Sequence, residues 1–302
     1  MKRLLQILSI AILSLSTFFV SVHFGQAQWL DGKKLFLAKI PVFSLGQEAA
    51  DASDLLSNSC ALKPVVNRNR YRQLPSIRGT LPLDRFRQAS SQTQTSYTPR
   101  ETVALAHPTN FGRRFVQDLY GRAVENDAIV VLHETVGSAQ STISFFQTAH
   151  PLDDDQVSYH TLIREDGTIV YLVPPDRRAF GAGNSIFSGT KGDEAVKTNP
   201  DFPPSVNNFA YHISLVTPPD GRGNGNTHSG YTQAQYQSLA WLVAKTGVPD
   251  TRITTHRLVD RSRQRKDPRS FNAQTFFRLL SLYPKTNDIL MQCSLPAMPQ
   301  EE

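Results

Sequence analysis

Three side chains stand out as a set able to hold a metal ion. They are His133 in Val131-Leu132-His133-Glu134-Thr135, His256 in Thr255-His256-Arg257-Leu258-Val259-Asp260, and Asp267 eleven positions beyond His256. Two imidazoles and one carboxylate supply three ligands, and a catalytic zinc takes such a trio while leaving its fourth position to water, whose pKa falls to about 7. Other divalent ions also accept nitrogen and oxygen ligands, with zinc the preferred occupant. The spacing alone is a weak signal, because the chain has no His-x-x-x-His and no close cysteine pair. A lone histidine after a strand more often serves as a hydrogen-bonded structural residue. On spacing, both readings stay open.

The flanking residues indicate which elements must present these groups. Ala128-Ile129-Val130-Val131-Leu132 is a short uninterrupted apolar run, which predicts a strand buried on both faces with His133 just beyond its C-terminal end. Ser138 to Ala149 carries a helical pattern. Val157 to Arg164 and Thr168 to Val173 flank Glu165-Asp166-Gly167, a hairpin in which Asp-Gly supplies the positive φ angles of a tight turn. Phe209 to Val216 is a further strand, closed by Pro218-Pro219-Asp220-Gly221. Thr232 with Gln235 makes a capping box, after which Tyr236, Leu239, Ala240 and Val243 share one helical face until Gly247. Ile253 begins a short strand before His256, and Ala273 to Leu282 closes the pattern as a helix. Strands interleaved with helices predict an α/β fold, a central mixed β-sheet covered by helices, preceded by an irregular N-terminal extension.

Residues 1–27 carry a basic start, Met1-Lys2-Arg3, and an uncharged apolar run from Leu4 to Val22, the pattern of a secretory signal. The run is also about long enough to span a bilayer, so an uncleaved inner-membrane anchor is the competing reading. Either way the expected location is outside the cytoplasm, in the periplasm or cell wall. Removing residues 1–27 takes away Lys2 and Arg3 and no acidic residue, lowering the net charge from +6 to +4. No run of Lys and Arg interleaved with aromatics follows, so nucleic acid is not an expected partner. Residues 28–100 end in the linker-like Ser90-Ser91-Gln92-Thr93-Gln94-Thr95-Ser96 and have little core of their own. The main domain is expected over 101–285, with a C-terminal tail at 286–302. Cys60 and Cys293 are an even count in an exported chain, which suggests a disulfide. The chain is expected to act as a monomer.

The stretch from about Asp127 to Phe277 resembles the type 2 N-acetylmuramoyl-L-alanine amidases, relatives of the peptidoglycan recognition proteins. The resemblance rests on ordered segments: Ala128 through Thr135; Val157-Ser158-Tyr159-His160 through Val170; Asp176-Arg177-Arg178-Ala179-Phe180-Gly181-Ala182-Gly183; Asn207-Asn208-Phe209; and His256 through Arg265-Lys266-Asp267-Pro268. It implies a zinc site at His133, His256 and Asp267. It also implies hydrolysis of the amide between N-acetylmuramic acid and L-alanine, in peptidoglycan or its fragments. Tyr159 corresponds to a tyrosine that hydrogen-bonds the developing oxyanion. Arg265 stands where relatives carry an oxyanion-donating lysine, with Lys266 as the alternative. Glu134, Thr135, Asn208 and Lys266 are the residues this resemblance places around the substrate.

Two positions depart from the family pattern. Ser214 stands where many members carry a glutamate general base, and Gly181 stands where relatives often show a histidine, leaving room in the cleft wall. His212 lies two positions before Ser214 on the same strand face, which makes it a candidate proton shuttle or a structural residue. The lost glutamate opens a rival reading, a module that binds muropeptides without cleaving them. A zinc peptidase acting on cross-links is a third. The other histidines, His107, His150 and His228 in loops and His160 in the sheet, are read as structural, and Asp153-Asp154-Asp155 as a solvated turn.

Overall fold

The computed structural model describes residues 81–88 and 97–291. The signal or anchor segment and the Cys60–Cys293 pair lie outside these residues. In chain order the described elements are β1 (Glu101–Val103), β2 (Phe111–Arg113), β3 (Ile129–Glu134), α1 (Ala139–Gln147), β4 (Thr161–Ile163), β5 (Ile169–Tyr171), β6 (Arg177–Ala179), β7 (Phe187–Gly189), β8 (Gly192–Glu194), β9 (Ala210–Leu215), α2 (Gln233–Ala244), β10 (Ile253–Thr255), α3 (His256–Val259) and α4 (Ala273–Leu280).

Six strands form the main sheet in the order β1-β5-β4-β9-β3-β10. Only β4 and β5 pair antiparallel; the other neighbours run parallel, giving the mixed sheet the sequence predicts. Every residue of β3 and β9 is buried, as central strands covered on both faces must be. Val130 and Leu132 join Tyr211, Ile213 and Leu215 in a core closed by Leu239 and Val243 of α2 and Phe276 and Leu280 of α4. On the opposite face, Leu162 and Val170 pack with Ala139, Ile143 and Phe146 of α1. Alternation along β3 puts His133 on the side of Ile129 and Val131, away from α2 and α4.

Caps fix the helix starts that frame this sheet. Ser138 accepts from the Ser141 N–H, and Thr232 with Gln235 completes the expected capping box. In the β4–β5 turn only Gly167 takes a positive φ, +82°, while the Asp166 carboxylate accepts the Thr168 N–H. The turn therefore needs one left-handed residue rather than the two expected.

The folded body extends beyond both expected boundaries. Phe86 is buried against Tyr171, with ring centroids 5.3 Å apart, and Arg85 pairs with Asp176 at 2.6 Å. At the other end Ile289 and Met291 enter the main core, and Asp288 pairs with Lys245 at 2.7 Å. These flanks hold apolar patches, Leu81, Leu83 and Phe86 at one end and Ile289 to Met291 at the other, that are too short for a periodicity signal.

Candidate metal centre

His133 is the penultimate residue of β3, not beyond its end, because β9 continues to pair with it through His133↔Ser214 and Glu134↔Leu215. β10 lies on the other edge of β3 and delivers His256 as the first residue of α3. The chain then loops away and returns, and the Asp267 carbonyl accepts the Arg257 N–H at 3.0 Å. The carboxylate of Asp260 shapes this loop by accepting the N–H groups of Ser262, Gln264 and Arg265.

The result is convergence of three side chains far apart in sequence. Candidate ligand atoms of His133, His256 and Asp267 lie within 4.8 Å of one another. Asp267 Oδ2 is 3.0 Å from His256 Nδ1 and 3.3 Å from His133 Nδ1. The His133 and His256 rings are 4.6 Å apart. His133 Nδ1 is buried without a hydrogen-bond partner among the described residues, a cost that a metal at this position would relieve. Two imidazole nitrogens and a carboxylate oxygen brought this close together fit a divalent cation.

The protonation states agree with ligation. Burial pushes the His133 imidazole down to about 4, an effect only partly opposed by the neighbouring Asp267 carboxylate. Burial would raise the Asp267 carboxyl, yet the adjacent His133 and His256 rings outweigh it and hold the group well below the usual carboxylate range. His160 and His212 are also held well below the ordinary imidazole value, first by burial. The unfolded chain therefore takes up protons near pH 6.5 that the folded chain cannot. Stability contributed by these neutral rings is present above that pH and lost as pH falls from 6.5 toward 4. The melting temperature of the metal-free protein is expected to drop steadily over this window, with His133 alone accounting for about 3 kcal/mol. A flat melting profile between pH 7 and 4.5 would contradict it.

The metal centre opens onto a cleft of about 850 Å³ whose walls include Thr135, Tyr159, Phe180, His256, Arg265 and Asp267. Tyr159 precedes β4 rather than lying in a strand, and its ring stacks on His133 at 4.4 Å between centroids. Burial first, and then the Asp267 charge, raises its phenol far above the ordinary value, so it stays an O–H donor. Arg265 lines the cleft, whereas Lys266 turns to Asn226, with Nζ donating to Oδ1 at 2.7 Å. The strand leaves the site through Val136, a β-branched residue at φ +56° whose N–H donates to Thr217 Oγ1, a strained exit at the cleft mouth.

Four expected roles need correction. The Lys266 side chain is committed to Asn226 outside the cleft lining. Asn208 is buried with its amide paired both ways to the Phe115 backbone, so it braces a loop; its neighbour Asn207 lines the cleft instead. Glu134 reaches the cleft wall, but its carboxylate is consumed by Arg269, His228, Tyr231 and Thr217. His212 is fully buried with Nδ1 2.9 Å from His133 Nε2, so it has no route to a substrate and cannot shuttle its protons. The room beside Gly181 is filled by the His212 ring. Arg269 and His228 carried no recognisable signal, since their partner Glu134 is set by tertiary contact alone. Ser214 is buried, and its hydroxyl has no hydrogen-bond partner among the described residues.

Residues 125–270 match the sequence model of the N-acetylmuramoyl-L-alanine amidase family. The chain is 36% identical over 96 residues to the 1,6-anhydro-N-acetylmuramyl-L-alanine amidase AmpD of Escherichia coli K12, covering 30% of this chain and 41% of the relative. It is 38% identical over 85 residues to AmpD of Citrobacter freundii, covering 28% of this chain and 34% of the relative. The chain thus spans less than half the length of the curated relatives it matches. Among solved structures, the crystal structure of a selenomethionine AmpD derivative is similar at 25% identity and a TM-score of 0.41, covering 60% of this chain and 94% of that one. Residues 125–270, which hold all three candidate metal ligands, form a domain of the type 2 N-acetylmuramoyl-L-alanine amidase family.

Proposed function

We propose that this protein is a zinc-dependent amidase that hydrolyses the bond between N-acetylmuramic acid and L-alanine in peptidoglycan or its fragments, acting in the periplasm or cell wall. The observation that carries the proposal is the convergence of His133, His256 and Asp267, of which His256 and Asp267 line an open cleft and His133 is buried behind them. Zinc held there supplies Lewis-acid chemistry, acidifying a water and polarising the amide carbonyl.

The chain's own residues do the rest. Asp267, ionised across the working pH range, and the neutral His133 present unprotonated ligand atoms. Tyr159, kept protonated, donates its O–H toward the carbonyl oxygen as negative charge grows there. Arg265 adds positive charge from the exposed side of the same cleft. Water adds to the carbonyl carbon, the C–N bond breaks, and the alanine nitrogen leaves as an amine with a proton that comes from the water, whose oxygen stays in the lactyl carboxyl group.

Digestion of purified cell wall and of 1,6-anhydromuropeptides tests this directly, the product being a peptide with a free N-terminal alanine. Without that product from zinc-loaded protein, the proposal fails. Arg265→Ala is expected to lower kcat by about 100-fold, in the range for loss of one oxyanion donor, with a smaller change in KM. Lys266→Ala should leave kcat near wild type.

One observation favours a second reading. Ser214 replaces a carboxylate base with a buried hydroxyl, so the cleft would recognise muropeptides without turning them over. That reading requires saturable muropeptide binding by calorimetry with no product after prolonged incubation. A product list containing cleaved cross-links instead would point to a peptidase.

A further inference from the structure

His212 and Gly181 form an arrangement beside the metal centre that the three ligands alone do not explain. His133 turns Nδ1 toward Asp267, and its other ring nitrogen, Nε2, lies 2.9 Å from His212 Nδ1. An imidazole binds a metal through a nitrogen without a proton, so His133 can use Nδ1 only when its proton sits on Nε2, and that proton then needs an acceptor. His212 Nδ1 is the acceptor at hand. With the protons placed the other way, His212 would donate to His133 Nε2. The His133 proton would then sit on Nδ1, facing Asp267, and close the site to a cation.

His212 is fixed in place, and as acceptor it carries its own proton on Nε2, a buried nitrogen with no hydrogen-bond partner among the described residues. It is fully buried in β9, its backbone N–H donates to His160 Nδ1 at 2.9 Å, and its ring lies parallel to His160 at 5.7 Å between centroids. Its ring also occupies the space that a side chain at position 181 would need. A Cβ on Gly181 would stand 2.6 Å from His212 Nδ1 and 2.7 Å from Cγ, inside any tolerable contact.

We infer that His212 is a positioning residue that accepts the His133 Nε2–H and so fixes the tautomer and rotation that aim His133 Nδ1 at the metal, and that Gly181 is a glycine in order to admit the His212 ring. This inference rests on the zinc reading above, but not on the amidase reading.

Chelator competition on the full chain measures zinc affinity in wild type, His212→Phe and Gly181→Ala. His212→Phe keeps a planar aromatic ring, slightly larger, and removes the acceptor; Gly181→Ala keeps the histidine and displaces it. Each is expected to weaken zinc binding by about 10- to 100-fold, the usual cost of losing a partner of a metal-bound imidazole. Nitrogen-15 NMR of the zinc-loaded wild type should show His133 protonated at Nε2 and bonded to His212, with that signal lost or moved in the variants. Should His212→Phe fail to fold, Gly181→Ala still decides. Wild-type zinc affinity in the folded variants, or a His133 tautomer indifferent to His212, overturns the inference. Zinc binding that depends on His212 without release of alanine amine would remove the amidase reading and leave this one. A wild type that binds no zinc would remove both.

Discussion

Asp267→Ala is expected to strip the protein of zinc and lower amidase turnover by about a thousandfold or more, while the fold survives. The carboxylate is the one anionic member of the trio, and it sits within 3.3 Å of both imidazole nitrogens. Without it, two imidazole rings remain to hold a divalent cation, and the several kcal/mol of charge stabilisation that the cation would supply are lost with it. The side chain lines the cleft and belongs to none of the apolar core clusters, so its removal opens no cavity in the core. Zinc content after dialysis, muropeptide cleavage and a thermal melt give the three readouts. His256→Ala should behave alike. Stoichiometric zinc in dialysed Asp267→Ala would mean that the ion is held elsewhere.

Much of this geometry is legible in the sequence wherever local chemistry fixes it. The apolar run ending at His133, the capping box at Thr232 and Gln235, and the Asp166-Gly167 turn each announce their own element, and the strand period places His212 and Ser214 on one face. The three ligands are nameable because the ordered resemblance links segments that spacing alone leaves unrelated. What stays hidden is whatever depends on distance in space. Alternation gives a face but no partner, so nothing in the sequence says that His212 ends on the back of His133 rather than in the cleft. Arg265 and Lys266 are chemically similar neighbours, and only the loop bonded to Asp260 decides that the first faces the site. Phe86 and Ile289 look like stray apolar residues until the core they complete is seen.

The largest stability effect should come from a residue that sequence reading placed at the substrate. Glu134→Ala is expected to destabilise the domain by about 3–5 kcal/mol, because it leaves the buried Arg269 guanidinium without its counter-charge. In a domain of this size that is a fall in melting temperature of about 10 °C. Glu134 follows His133 directly, and Arg269 lies two positions after Asp267, so their ion pair ties together the two segments that carry metal ligands. Arg269 spends its remaining donors on the carbonyls of Gly221, Gly223 and Gly225, and the second Glu134 oxygen accepts from Tyr231 and Thr217, so the loop at 217–231 is fastened to the same post. Glu134→Ala with Arg269→Ala should cost less than the sum of the single changes, since the double variant strands no buried charge. If the pair also orients the ligands, zinc affinity should fall in Glu134→Gln, which keeps the shape and removes the charge. Melting within about 2 °C of wild type for Glu134→Ala would show that water reaches Arg269 freely and that the two ligand segments are held by other contacts.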